Sequence, residues 1–396
     1  MARIYNKGEM NIVQEAEVRN KKVLVRADYN VPIKDGKVVD SERIKASLET
    51  IKYLLKNGAT VMLCSHLGRP KSKNDQQCSL KPLVPILEKL IKESVHFCDD
   101  CIGTDRQKQI SKLVSGDIIL LENLRFHPEE ENNDPAFAKK LTQGCDIYVN
   151  DAFSASHREH ASIVGVTDYL PSFAGFQMQR EVENLTKVLI NPKRPFVLVM
   201  GGAKIADKIP LIDNMMGKID TLVLGGAIAN TFLLAKGYYL GKSIVEPEAL
   251  DTAKKILIEA RDDRVEVLLP QDCVVSKDIN SSEGQAKEVG AVTENELVLD
   301  IGKETVDNII EKLKYAETIF WNGPMGYAET PAFAKATRVV GQAIANSNAY
   351  SVIGGGDTIA AVDDSIKKQF SYISMAGGAS LEFLSGKILP GIKALE

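Results

Sequence analysis

Short apolar runs rich in β-branched residues alternate with amphipathic stretches along the whole chain, and this alternation constrains the fold more than any other feature. The runs are Lys22–Asn30, Thr60–His66, Val95–Cys98, Asp117–Asn123 and Asp146–Asp151, then Phe196–Gly201, Thr221–Gly225, Val265–Val275, Thr318–Asn322, Tyr350–Gly354 and Tyr372–Ala376. They are apolar throughout, as strands covered on both faces are. Helical spacing fills the gaps. In Ser41–Asn57, Ile44, Leu48, Ile51 and Leu55 share one face, with Asp40 placed as N-cap and Gly58 as stop. Repeated β–α–β spelling predicts an α/β protein whose parallel sheets are flanked by helices through right-handed crossovers.

The eleven runs exceed one ordinary sheet and divide five and six. Between the groups lies Pro171–Pro195, in which Met178–Ile190 reads as a helix closed by Asn191-Pro192. The predicted architecture is therefore two doubly wound, Rossmann-like parallel-sheet domains joined by a helical hinge. A length of 396 residues suits that number of domains. Ligands of such domains bind beyond the carboxyl ends of the strands.

Charge and composition exclude several classes. Lys plus Arg total 49 and Asp plus Glu 53, a net charge of −4, which disfavours a nucleic-acid partner bound by bulk positive charge. No apolar run approaches the ~20 residues that span a bilayer, and MARIYNKGEM lacks the apolar core of a secretory leader. The expectation is a cytoplasmic protein that binds small molecules and neither nucleic acid nor membrane. The six cysteines are then expected as reduced thiols. Cys98-Asp99-Asp100-Cys101 has no partner pair and reads as a strand end.

The first half ends its strands in charge: Arg26-Ala27-Asp28-Tyr29-Asn30, His66-Leu67-Gly68-Arg69-Pro70, Glu122-Asn123-Leu124-Arg125-Phe126-His127, and Asn150-Asp151-Ala152-Phe153 with His157-Arg158-Glu159-His160. Arg43 opens the first helix. Five arginines at one sheet edge fit a small anion with two acidic groups, because a guanidinium fork matches phosphate and carboxylate. His157 and His160 as a metal pair would need a third ligand, and H-E-x-x-H is absent.

The second half ends its strands in glycine: Gly201-Gly202-Ala203-Lys204, Gly225-Gly226, Asn322-Gly323-Pro324, Gly354-Gly355-Gly356-Asp357-Thr358 and Gly377-Gly378. Such turns let backbone N–H groups approach a phosphate at a helix N-terminus. Lys204 and Lys208, four apart, are expected on one face of the following helix. Asp357 suits a magnesium ion that bridges nucleotide phosphates. Two familiar fingerprints fail. Gly354-x-Gly356 is followed at the third place by Ile359, which disfavours a two-domain dehydrogenase, and Gly241-Lys242-Ser243 has its leading glycine, Gly237, one residue too close for a P-loop.

Seven ordered segments now resemble phosphoglycerate kinases over essentially the full length: R-A-D-Y-N-V-P at 26–32, S-H-L-G-R-P at 65–70, L-R-F-H at 124–127, N-D-A-F at 150–153 with H-R-E-H at 157–160, G-G-A-K-I-A-D-K at 201–208, W-N-G-P-M-G at 321–326 and G-G-G-D-T at 354–358. The resemblance implies reversible transfer of a phosphoryl group from 1,3-bisphosphoglycerate to MgADP, by direct in-line transfer in a closing interdomain cleft, and a monomer. It implies an N-terminal 3-phosphoglycerate domain over 1–178, on which a tail of about 385–396 packs back, and a linker helix with a C-terminal nucleotide domain over 179–384. It implies Asp28, Asn30, Arg43, His66, Arg69, Arg125 and Arg158 as 3-phosphoglycerate ligands. Lys204, Lys208, Glu329, Gly355, Gly356, Asp357 and Thr358 would hold the nucleotide and Mg2+, with Arg43 and Lys204 beside the transferring group. The hinge falls in 171–195, and Trp321 is placed to report closure.

The chain departs from the family pattern where S-T-G-G-G-A-S reads Ser374-Met375-Ala376-Gly377-Gly378-Ala379-Ser380. Met375 lacks a hydroxyl and Ala376 disfavours positive φ. The alternative reading is a degenerate scaffold that binds both ligands with impaired turnover. Ala27, Tyr29 and Ser154-Ala155-Ser156 are milder departures.

Overall fold

The computed structural model describes residues 10–73 and 75–396. The chain divides into two compact units, one running to Glu183 and taking back Ile388–Glu396, the other spanning Asn184–Lys387.

In the first unit six parallel strands form one sheet: β1 Lys22–Arg26, β2 Thr60–Cys64, β3 Val95–Cys98, β4 Ile118–Leu121, β5 Ile147–Asn150 and β6 Ser172–Ala174, in the order β3-β4-β2-β1-β5-β6. Val23 pairs with Val61 and Ile147, and Val25 with Leu63 and Val149. These residues form one layer with Ile118 and Leu120, against Ile44, Ile51, Leu54, Leu83 and Leu87 from the covering helices. Alternate residues Leu24, Met62, Ile119 and Tyr148 are equally buried on the opposite face, which is why the strands read as unbroken apolar runs.

In the second unit β7 Phe196–Met200, β8 Thr221–Leu224, β9 Glu266–Leu268, β10 Thr318–Asn322, β11 Tyr350–Gly354 and β12 Tyr372–Ser374 take the order β9-β8-β7-β10-β11-β12, parallel throughout. Val197, Val199, Ile319, Trp321 and Ile353 pack against Ile309, Leu313, Val340 and Ile344. The doubly wound α/β class expected from the sequence is observed.

Several expectations are corrected. Strand β6 lies inside the stretch assigned to the connector; three residues with no β-branched side chain gave no signal. The run Val265–Val275 is two strands, because Pro270 interrupts the ladder: β9 ends at Leu268, and Asp272–Ser276 pairs antiparallel with Gln285–Glu288 and Leu297–Ile301 in a separate small sheet. The Ser41–Asn57 helix is broken at Ser47 into Glu42–Ala46 and Leu48–Lys56, where the Ser47 hydroxyl donates to Ile44 O at 2.9 Å. Leu54, not Leu55, is the fully buried leucine of that face, and Ser41, not Asp40, is the N-cap, although the Asp40 carboxylate accepts the Glu42 N–H at 2.8 Å. Lys204 and Lys208 precede the helix Ile209–Met215, whose start Pro210 fixes, so they share no helical face.

The connector helix runs Phe176–Leu189. Asp151, leaving β5, accepts the Gln177 N–H at 2.8 Å and so anchors the start of that helix; a Cβ on Gly175 would lie 2.2 Å from the same carboxylate oxygen. At the chain's end the Asn11 N–H donates to Leu395 O at 3.0 Å and the Gly391 N–H to Ser156 O at 2.9 Å.

In the second unit the buried Asp300 carboxylate accepts the N–H groups of Ile301 and Ala336, each at 3.0 Å. Burial outweighs those donors and pushes its carboxyl up to about 7. An unfolded aspartate releases its proton near ~4. Between about pH 4 and 7 the folded state therefore holds the extra proton, and stability falls as pH rises. Asp300→Asn should flatten that part of the denaturation-midpoint profile relative to wild type; parallel profiles would remove Asp300 as its cause.

Candidate functional site

In the first unit the strand order reverses between β1 and β5, and the loops leaving these strands meet on Asp28. Its Oδ2 pairs with the Arg43 guanidinium and accepts the Ser154 hydroxyl at 2.5 Å; its Oδ1 accepts the Asn30 N–H at 3.1 Å. Asn30 Oδ1 accepts the Gly68 N–H at 2.9 Å, and Arg125 Nη1 donates to Gly68 O at 2.8 Å. Gly68 stands at φ +62°, where a side chain would be strained. Asn123 locks the same loops: its amide donates to Leu67 O and Cys78 O at 2.7 and 2.8 Å, and its carbonyl accepts the Arg125 N–H at 3.0 Å.

A cavity of about 410 Å³ is lined by Arg69, Pro70, Arg125, Glu131, Arg158 and His160. Burial, reinforced by the surrounding arginines, pushes His160 down to about 4 and His66 well below the ordinary imidazole range. At neutral pH both rings are uncharged, so the positive charge comes from guanidinium groups alone. Glu131 lies 3.0 Å from Arg125 Nε. Of the five arginines expected at this edge, Arg69, Arg125 and Arg158 line the cavity and Arg43 is held by Asp28. Arg26 is turned inward, 1% exposed. Ser154 and Glu131 carried no signal as site residues in the sequence and become visible only when the loops converge, whereas His160 already stood in the charged strand-end segment 157–160.

In the second unit the order reverses between β7 and β10, and the glycine turns serve two purposes. A Cβ on Gly201 would lie 2.1 Å from Pro324 O, and one on Gly323 2.1 Å from Gly201 O. The Gly202 N–H donates to Pro324 O at 2.8 Å and the Gly226 N–H to Met325 O at 2.7 Å. These glycines close backbone on backbone, so their N–H groups are spent and the expectation of five phosphate-facing turns is corrected. Gly355 (φ +92°) and Gly377 (φ +58°) instead turn β11 and β12 into the helices Gly356–Ala361 and Gly378–Leu384. Nothing lies within 4 Å of a Cβ built on Gly356, Gly377 or Gly378. First-turn N–H groups of a helix have no partner within it.

Lys208 is buried, its ammonium donating to Gly201 O and, at 3.4 Å, to Asn322 O. Burial pushes it down to about 8, against the opposing pull of the Asp207 and Asp357 carboxylates. Thr358 is buried and its hydroxyl oxygen accepts the Gly323 N–H at 2.6 Å. Lys204, Asp357 and Glu329 are exposed. The Asp357 carboxylate has no hydrogen bond or ion pair among the described residues. Trp321 is fully buried, its indole N–H donating to Gly323 O at 2.8 Å. Ala376 has no positive φ; Gly377 takes that conformation, so the departure carries no backbone strain there.

His157 and His160 gather no third metal-type ligand among the described residues. Asp100, Cys101 and His127 do come together, with His127 Nε2 already 2.6 Å from Asp100 Oδ1. All six cysteines are free. No helix among the described residues is long and apolar enough to cross a membrane.

The profile of the family described as phosphoglycerate kinase matches residues 13–387. A relative named phosphoglycerate kinase from Moorella thermoacetica is 48% identical over 385 residues, covering 97% of this chain and 98% of that one. One from Dictyoglomus turgidum is 46% identical over 387 residues, with the same coverage. Among solved structures, the phosphoglycerate kinase of Coxiella burnetii superimposes with a TM-score of 0.87 at 41% identity, and that of Pyrococcus horikoshii with 0.87 at 34%; each comparison covers 98% of both chains.

Glu131 places negative charge beside the three guanidinium groups that line the cavity. Glu131→Gln is expected to tighten inorganic phosphate roughly two- to fivefold, the worth of one exposed charge contact, by calorimetric titration. Weaker binding would show instead that Arg125 needs Glu131 to aim it.

Proposed function

This chain belongs to the phosphoglycerate kinase family, and from that premise we propose which residues hold its ligands and how the phosphoryl group moves. The reaction is reversible transfer from 1,3-bisphosphoglycerate to ADP, giving 3-phosphoglycerate and ATP; in the reverse direction a carboxyl group is the acceptor. The observation that carries the assignment is the guanidinium-lined cavity of the first unit. Arg69, Arg125 and Arg158 with uncharged histidines suit a small acid that bears both a phosphate and a carboxylate.

In this reading Asp28, Asn30, Arg43, His66, Arg69, Arg125 and Arg158 hold 3-phosphoglycerate. The nucleotide lies on Lys204, Lys208, Glu329, Gly355, Gly356, Asp357 and Thr358. The exposed, unpartnered carboxylate of Asp357 fits Mg2+, which favours one or two carboxylates together with phosphate oxygens and water. When bound, the ion would neutralise phosphate charge.

Towards ATP the attacking atom is a phosphate oxygen of ADP and the leaving group is a carboxylate. Neither needs a proton removed at neutral pH, so the site requires no general base. Catalysis falls to positioning and charge neutralisation. Arg43 is fixed by Asp28, itself braced by Ser154 and Asn30, and keeps further N–H donors for the phosphoryl oxygens. Lys204 is the proposed counterpart on the nucleotide side.

The direct test is a coupled assay with 3-phosphoglycerate, ATP and magnesium, in which an NADH-linked enzyme reduces the 1,3-bisphosphoglycerate formed. Turnover abolished by chelating magnesium supports the proposal; no turnover while calorimetry shows both ligands bound would overturn it. Arg43→Ala should lower kcat by about a hundredfold or more, the scale of losing one charge-stabilising donor, with ADP affinity within about twofold of wild type; unchanged kcat would remove its role. Lys208 gains a proton when an anion binds beside it, so nucleotide affinity should fall as pH rises through about 8. Lys208→Met should weaken binding and abolish that dependence; a step that survives in the variant belongs to another group.

A further inference from the structure

Behind the ligand-facing residues of the first unit runs a chain of buried polar contacts that the transfer chemistry does not use. Glu130 is 0% exposed, and its carboxylate accepts the Ser162 hydroxyl at 2.6 Å and the Ser162 N–H at 2.9 Å. The Ser162 hydroxyl oxygen in turn accepts Arg26 Nε–H at 2.9 Å. Arg26 Nη1 donates to Ala27 O at 2.6 Å, which leaves Nη2 aimed at His66 Nδ1, 3.0 Å away. Each link has one polarity. The carboxylate can only accept, the serine hydroxyl donates its single proton to it, and the guanidinium can only donate. His66 Nδ1 must therefore be the acceptor, and the ring's one proton sits on Nε2. Among the described residues His66 Nε2 makes no hydrogen bond.

We infer that Glu130 and Ser162 act through Arg26 as positioning residues, holding His66 as the neutral Nε2–H tautomer so that it presents a donor to an acidic oxygen of the bound glycerate. This rests on the reading of His66 as a 3-phosphoglycerate ligand. The surroundings agree: a protonated ring would place a further cation beside Arg26, Arg125 and Arg158 in a buried setting, and burial with those neighbours holds His66 well below the ordinary range. The arrangement also explains why a buried arginine sits at the end of a central strand. Arg26 and Glu130 form an ion pair bridged by one hydroxyl, so neither charge is left unsatisfied in the interior. The opposite tautomer would set an N–H of His66 against an Arg26 N–H at 3.0 Å, a contact of two donors.

The tautomer is measurable without any ligand. Nitrogen-15 spectra of the wild-type imidazoles at neutral pH should show His66 protonated at Nε2 and not at Nδ1; a proton on Nδ1, or on both nitrogens, overturns the inference. Ser162→Ala should let His66 exchange between tautomers and raise the KM for 3-phosphoglycerate roughly tenfold, the scale of one hydrogen bond to a charged ligand. Its kcat should stay within about twofold, because the lost contact serves ground state and transition state alike. Ser162→Thr, which keeps the hydroxyl, should restore both the tautomer and KM. An unaltered tautomer and KM in a folded Ser162→Ala protein would overturn the role of the relay. His66→Ala separates the underlying assumption: if 3-phosphoglycerate affinity stays at the wild-type value, His66 is not a ligand, whatever its tautomer.

Discussion

Both faces of each parallel sheet are covered by helices, and this single constraint places everything else. With Val, Ile and Leu filling the two faces of every central strand, no polar chemistry fits along the sheet. The chain can present functional groups only where strands end, and most openly where the strand order reverses and neighbouring connections diverge. Asp28 and Ser154 leave β1 and β5 at one such reversal; Gly201 and Gly323 leave β7 and β10 at the other.

In the proposed reading the two reversals recognise anions by different physics. The first uses side chains. Three guanidinium groups converge in a small cavity, neighbouring histidines are held neutral, and Asp28, Asn30 and Asn123 spend their hydrogen-bonding capacity on aiming loops. Such a site has its charge in place before the ligand arrives, as electrostatic preorganisation requires. The second uses the backbone with few side chains. Tight glycine packing at 201, 226 and 323 brings strand ends close enough for Lys208 to reach carbonyls across them, while Gly356 and Gly378 leave helix starts uncovered. A lysine buried among carbonyl oxygens holds its proton less firmly than one in water, which makes its charge responsive to a bound phosphate.

Much of this was legible in the sequence because parallel strands buried on both faces leave unmistakable apolar runs, and because arginine and glycine segregate so cleanly between the halves. What was not legible has physical causes. A three-residue strand such as Ser172–Ala174 has no periodicity to read. Pro270 divides a continuous apolar run into strands of different sheets, and the serine at 47 breaks a helix whose hydrophobic spacing is uninterrupted. A glycine in a turn looks the same whether it admits a phosphate or another backbone, and only the distances at Gly201 and Gly356 separate the two uses. Arg26 shows the same limit: its place after a strand suggested a ligand contact, while its partners Ser162 and His66 lie far off in sequence and make it part of the interior.

In the proposed reading the two ligands are recognised by the two strand-end sets separately, cationic side chains for one and glycine turns with lysine for the other. The most direct measurement is an amide chemical-shift map of the full-length protein, titrated in turn with 3-phosphoglycerate and with MgADP. The largest shifts with 3-phosphoglycerate should fall in 26–31, 65–70, 123–127 and 150–160, and those with MgADP in 201–208, 322–330 and 354–358. The reverse assignment, or both ligands shifting the same set most, would contradict separate recognition.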